Sequence, residues 1–89
     1  MTDIICTYND EAQGWVSDTL VVNLPKILYI DLESKGYVVI LQHVNDEWRK
    51  AYTTPYHKSF EFTLDKFMDA VEIKIACSEQ PIRLQYENI

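Results

Sequence analysis

The sequence predicts an all-β fold, a single small antiparallel β-sandwich of seven or eight short strands, on three observations. First, three stretches alternate apolar and polar residues with a period of two. Phe60, Phe62 and Leu64 stand against Ser59, Glu61 and Thr63. Val71, Ile73, Ile75 and Cys77 stand against Ala70, Glu72, Lys74 and Ala76, and Ile82, Leu84 and Tyr86 against Arg83, Gln85 and Glu87. Successive side chains on a strand point to opposite faces, so each run reads as a strand with one buried and one wet face, as in antiparallel sheets. Second, turn signals recur about every eight to twelve residues, the spacing of short strands in sandwiches and small barrels. Third, the most continuously apolar run, Tyr37-Val38-Val39-Ile40-Leu41, suits a strand at the centre of a sheet.

Taken in order, residues 2–8 read as one strand, with Ile4 and Cys6 on one face and Ile5 and Thr7 on the other. The polar Asn9-Asp10-Glu11 breaks it, and Gly14 predicts a turn or bulge near Trp15. Residues 19–24 are β-branched and apolar, a strand closed by Pro25, which has no amide to donate to a ladder. Leu28, Ile30 and Leu32 then alternate against Ile27, Tyr29 and Asp31. Glu33-Ser34-Lys35-Gly36 predicts a hairpin turn, with the glycine at its end suited to positive φ. The strand over 37–44 turns at Asn45-Asp46 and returns over 47–53 with Trp48, Lys50 and Tyr52 on one face. Residues 53–57 are a loop by composition. Residues 64–69 predict a single helical turn with Phe67 or Met68 plugging the core, being too few for a stable helix.

At 89 residues there is room for one domain, spanning 1–89, and the apolar content of 47% is that of a globular chain. A chain this short buries only roughly 60–65% of its unfolded surface, which disfavours a deep active-site cleft. The net charge of −6 and the scattered Lys and Arg, none before Lys26, argue against nucleic acid as a direct partner, because phosphate binding needs a basic face. Asp3, Asp10, Glu11 and Asp18 make the N-terminal end acidic, either to meet a basic partner or to keep the domain soluble. No apolar run approaches the roughly 20 residues of a membrane span, and no secretory leader follows Met1. Synthesis in the cytosol is therefore expected, with Cys6 and Cys77 as buried free thiols on strands rather than a disulfide.

The proportions are immunoglobulin-like, but the residues do not support membership of that family. The second cysteine lies near the start of the chain at Cys6, Trp48 is too far from it, and Ile75 stands two before Cys77 where a corner tyrosine belongs.

Catalytic chemistry finds little purchase. His43 and His57 are the only histidines and have no ligand-spaced Cys or His, so no metal or cofactor is expected. Gly14 and Gly36 stand alone, so no glycine-rich loop cradles a phosphate. The serines fall in turns or on wet faces, without a positioned base evident from spacing. The expectation is a protein without enzymatic activity. The stretch over 48–57 points instead to contact with protein: Trp48, Tyr52 and Tyr56 are interleaved with Arg49, Lys50, Thr53 and Thr54, and amphipathic rings beside Arg typify interfaces. Trp48, Arg49, Tyr52 and Tyr56 are accordingly the candidate binding residues. The bland alternative puts Trp48 and Tyr52 in the core. Open sheet edges offer a second route to association.

The functional expectation is a protein-interaction or assembly module that binds a protein partner or copies of itself. An accessory subunit of a larger particle, such as a phage decoration, head-fibre or baseplate component, is the setting that size and fold class suggest. The alternatives are an acidic inhibitor that mimics nucleic acid at a basic groove, and a carbohydrate-binding β-sandwich, for which no acid or amide is evidently placed to fix hydroxyls.

Overall fold

Ten strands in two antiparallel sheets enclose one apolar core in the computed structural model, which describes residues 1–22, 25–64 and 72–89. The strands are β1 (Thr2–Asp3), β2 (Cys6–Asn9), β3 (Gly14–Ser17), β4 (Leu20–Val21), β5 (Lys26–Gly36), β6 (Val38–Val44), β7 (Glu47–Thr53), β8 (His57–Thr63), β9 (Glu72–Cys77) and β10 (Pro81–Asn88). One sheet runs β1-β10-β5-β8. The other runs β2-β3-β9-β6-β7, with β4 also paired to β9. The β-sandwich is as the alternating runs predict. The core holds Leu28, Ile30 and Leu32 from β5, Val38 and Ile40 from β6, Ile73, Ile75 and Cys77 from β9, with Leu64 and Leu84. The helical turn predicted over 64–69, the inward Val71 and the end of the strand predicted over 19–24 fall on or overlap positions outside the described residues.

The structure corrects four local expectations. Residues 2–8 are two strands in different sheets: β1 pairs with β10, and the chain then crosses at Ile4 and Ile5 so that β2 pairs with β3. Ile4 donates its amide to the Leu84 carbonyl at 2.8 Å during the crossing. Second, Glu33-Ser34-Lys35-Gly36 is not a hairpin turn. β5 continues through Gly36, and both its edges are occupied, by β10 on one side and β8 on the other, so β6 has no edge to pair with and starts in the opposite sheet. Neither glycine has positive φ; among the described residues the positive values fall on Gln13, Asn45 and Asp46. Consecutive positive φ at Asn45 and Asp46 make the two-residue turn whose twist matches a β-hairpin, joining β6 to β7 as expected.

The other two corrections are bulges. Between Pro81↔Leu32 and Arg83↔Asp31, Ile82 is an extra residue, and it stands 68% exposed instead of facing the core. Between Ile40↔Tyr52 and Leu41↔Lys50, Ala51 is extra, so Trp48 and Lys50 share one face while Tyr52 is turned to the other. A single inserted residue reverses the facing of everything beyond it, because the side-chain period is two.

Hydroxyl side chains complete the ladders where strands change sheet. Thr54 Oγ1 accepts the Val38 amide at 2.8 Å while the Thr54 amide donates to the Val38 carbonyl at 2.9 Å. Ser78 treats Tyr37 the same way, at 2.8 and 3.0 Å. β3 pairs with β9 as far as Val16↔Ala76 and β4 resumes at Leu20↔Ile73. In the gap, Ser17, buried at the end of β3 and not in a turn or on a wet face as its residue type suggests, accepts the Ile75 amide through Oγ at 2.9 Å and donates to the Asp18 carbonyl at the same distance. Among the described residues every buried side-chain polar atom has a partner. Ser17→Ala would leave the Ile75 amide unsatisfied in the core, and the expected loss is about 1–3 kcal/mol of stability, read from urea unfolding midpoints.

Candidate interaction surface

Because paired residues of an antiparallel sheet share a face, the registers lay out each outer surface row by row. On the four-stranded sheet, one row is Asp3, Gln85, Tyr29 and Glu61, and the next is Arg83, Asp31 and Ser59. Asp3, Gln85, Tyr29, Arg83 and Asp31 of these rows are held in contacts with their neighbours. Gln85 Nε2 donates to Asp3 Oδ1 at 2.7 Å, Tyr29 donates to Glu87 Oε1 at 3.1 Å, and the Arg83 guanidinium lies 3.8 Å from Asp31 and 5.0 Å above the Tyr29 ring. Desolvation, with the hydrogen bond to Glu87 next in weight, holds the Tyr29 phenol above its ordinary pKa.

The outer face of the six-stranded sheet differs. Its first row is Trp48 and His43, with Glu72 beside them; its second is Lys50, Leu41 and Lys74; its third is Thr53, Val39, Ala76, Val16 and Thr7. The His43 and Trp48 rings stack with centroids 4.9 Å apart and planes 23° from parallel. Lys74 Nζ lies 4.6 Å above the same indole, an attraction between a cation and the electron-rich ring face. Glu72 Oε1 is 3.4 Å from His43 Nδ1, so a carboxylate, an imidazole, an indole and an ammonium form one chain of contacts. Below it, Tyr37, Val39, Leu41 and Ala76 line a trough of about 250 Å³ that ends at Gly14 and is edged by Lys50. That is smaller than the roughly 300–1,000 Å³ of pockets that enclose small ligands, so the trough suits a side chain or two from a partner surface.

No known family, curated protein or solved structure matches this chain. The surfaces themselves therefore carry the functional argument. No helix among the described residues is long and apolar enough to cross a membrane. Among the same residues, no three His, Cys, Asp or Glu side chains gather to hold a metal ion.

The four residues singled out by composition do not form one patch. Trp48 is on the outer face, 37% exposed, under Lys74. The Ala51 bulge sends Tyr52 to the opposite side, where its ring meets Phe62 of β8 edge-on at 5.9 Å. Arg49 is exposed on β7, an edge strand, and both Nε and Nη2 donate to Glu47 Oε2, at 3.2 and 3.0 Å. Tyr56, 65% exposed, is in the loop between β7 and β8. Sequence reasoning missed Leu41, Val39 and Ala76 because an apolar run in a central strand reads as core on both faces. It missed the Glu72–His43 contact because only strand register brings those two positions together.

Proposed function

We propose that this chain is a protein-interaction module without enzymatic activity that docks through the outer face of its six-stranded sheet, with Trp48 as the anchor. The observation that carries this reading is the contrast between the two outer faces: one is dominated by polar groups bound to one another, the other presents Trp48, Tyr37 and the half-buried Leu41 around a shallow trough floored by the buried Val39. Aromatic anchors with an apolar centre and charged rim are the composition of interface hot spots. Lys50 and Lys74 supply the rim and favour a partner with carboxylates around an apolar knob. A second copy of the chain is one source of such a surface, since its four-stranded face carries Asp3, Asp31 and Glu61. An accessory place in a larger assembly fits the same mode.

Light scattering coupled to size exclusion, across concentration and salt, tests this with three variants. Leu41→Glu and Trp48→Ala are expected to weaken association about tenfold or more, equivalent to about 1.4 kcal/mol or more, while leaving the free energy of unfolding within about 1 kcal/mol of the parent. Tyr56→Ala serves as the comparison. Loss of association in Tyr56→Ala but not in Leu41→Glu would move the contact to the β7–β8 edge. A parent chain that stays monomeric at millimolar concentration would remove self-assembly from the proposal.

A further inference from the structure

We propose that the chain forms a symmetric dimer through the edge of β8: β8 of a second copy adds antiparallel to the open side of this strand, and the two four-stranded sheets become one continuous sheet. An open edge carries unpaired amides and carbonyls that recruit another strand unless it is short, bulged, charged or interrupted by proline. Among the described residues, every open edge but one is protected in these ways. β1 and β4 have two residues each and β2 has four. The part of β10 that β1 leaves bare holds Pro81 and the Ile82 bulge. β7 carries Glu47, Arg49 and Lys50 and is broken by the Ala51 bulge. β8, the edge of the four-stranded sheet, has seven residues, no proline and a regular register from Ile27↔Thr63 to Asp31↔Ser59.

The backbone of β8 is set to receive a strand. The Leu64 amide donates to the Lys26 carbonyl at 2.9 Å, and alternate residues of a strand bond to the same side, so the main-chain groups of Phe62 and Phe60 also face β5. Those of Ser59, Glu61 and Thr63 therefore point away from the sheet, toward the open side.

The side chains of β8 complement a second β8. Phe60 is the midpoint of the strand, and a twofold axis there overlaps its whole length: His57 meets Thr63 of the second copy, Ser59 meets Glu61, and Phe60 meets Phe60. Ser59 and Glu61 are exposed and have no hydrogen bond or ion pair among the described residues. The pairing sets the hydroxyl donor of one opposite the carboxylate acceptor of the other, twice by symmetry. Phe60 is only partly buried, and the axis gives the two Phe60 rings the non-hydrogen-bonded site, where side chains of an antiparallel pair come closest. Lys58 stands opposite Phe62, whose ring its methylene stem can cover. The neighbouring registers that keep the faces matched are shorter; one opposes Glu61 to Glu61 and the other separates the Phe60 rings. This dimer does not rest on docking by the six-stranded sheet, which it leaves free to join dimers to one another or to a different protein.

Sedimentation equilibrium of the full chain up to millimolar concentration, together with amide hydrogen exchange followed by NMR, tests the pairing. The expected result is a monomer-dimer equilibrium in which the Ser59 and Glu61 amides become protected as the dimer fills. Ser59→Pro removes an outward amide from each copy while sparing the ladder to β5, and is expected to raise the dissociation constant about tenfold or more. Opposite charges at this position check the register. Ser59→Glu, facing Glu61, is expected to weaken the dimer about threefold or more, and Ser59→Lys to tighten it by about as much at low salt. Leu41→Glu, on the other sheet, is expected to keep the dimer and to lose only association beyond it. Circular dichroism and an unfolding curve establish that each variant folds. A parent monomeric at millimolar concentration would overturn the proposal, as would unprotected Ser59 and Glu61 amides in an associated parent. So would effects of the same sign from Ser59→Glu and Ser59→Lys, or a dimer lost in Leu41→Glu but kept in Ser59→Pro.

Discussion

Ile40→Ala is expected to cost about 2–5 kcal/mol of stability, against the roughly 5–15 kcal/mol that holds a typical domain together. Ile40 is fully buried in β6, an interior strand of the six-stranded sheet, paired to Ile75 of β9 on one side and to Tyr52 of β7 on the other. Truncation removes apolar surface from the core and leaves a cavity that flanking strands cannot close, because each is held by ladder bonds on both sides of the gap. Urea unfolding followed by tryptophan fluorescence measures the loss. A change below about 1 kcal/mol would mean that the inner face of β6 packs far more loosely than its complete burial indicates.

Gly14→Ala is the second large effect, and it acts through backbone contact. A Cβ at Gly14 would lie 2.5 Å from the Cys77 carbonyl oxygen and 3.4 Å from its carbon, so the new methyl meets main chain that cannot rotate away. Gly14 opens β3, whose next residue pairs with Cys77; relieving the clash therefore means prising β3 from β9. The expected loss is about 1–3 kcal/mol. Gly36→Ala supplies the internal comparison. There the new Cβ would meet side chains alone, the Glu79 methylene, which can swing aside, and the Ser78 hydroxyl, whose turning gives up only its bond to the Tyr37 amide, so a smaller loss is expected. Equal losses in the two variants would show that the close approach at Cys77 is not what Gly14 is needed for.

These two positions also show how far the sequence reached. Strand existence was legible wherever one face is wet, and facing wherever no bulge intervenes: Leu28, Ile30 and Leu32, and Ile73, Ile75 and Cys77, are buried as their alternation predicts. The Asn45-Asp46 hairpin was legible because both residues tolerate positive φ. What stayed hidden depends on partners distant in sequence. Gly36 looked like a turn residue, but its lack of a side chain serves a contact with Ser78 and Glu79 across the sandwich. Ile82 looked buried because the insertion opposite β5 leaves no mark on the residues themselves. The same holds for the candidate surface. Trp48 stood out by its chemistry, but the face it shares with Leu41 and Val39 is defined by the Ala51 bulge and by the register against β9.

The pairing of β5 bears on how the chain acquires its structure. Its partners are β8 and β10, so neither comes from the strands next to it in sequence. While the polypeptide is being synthesised, Leu28, Ile30 and Leu32 emerge long before residues 81–88 exist to flank them, and β1 waits for the same segment. Closing such loops costs entropy before any contact compensates for it, which places this topology among slow folders. The nascent chain accordingly passes through a period in which β5 has both edges open and its apolar face uncovered, and that is the interval in which a chaperone would be needed or aggregation would begin.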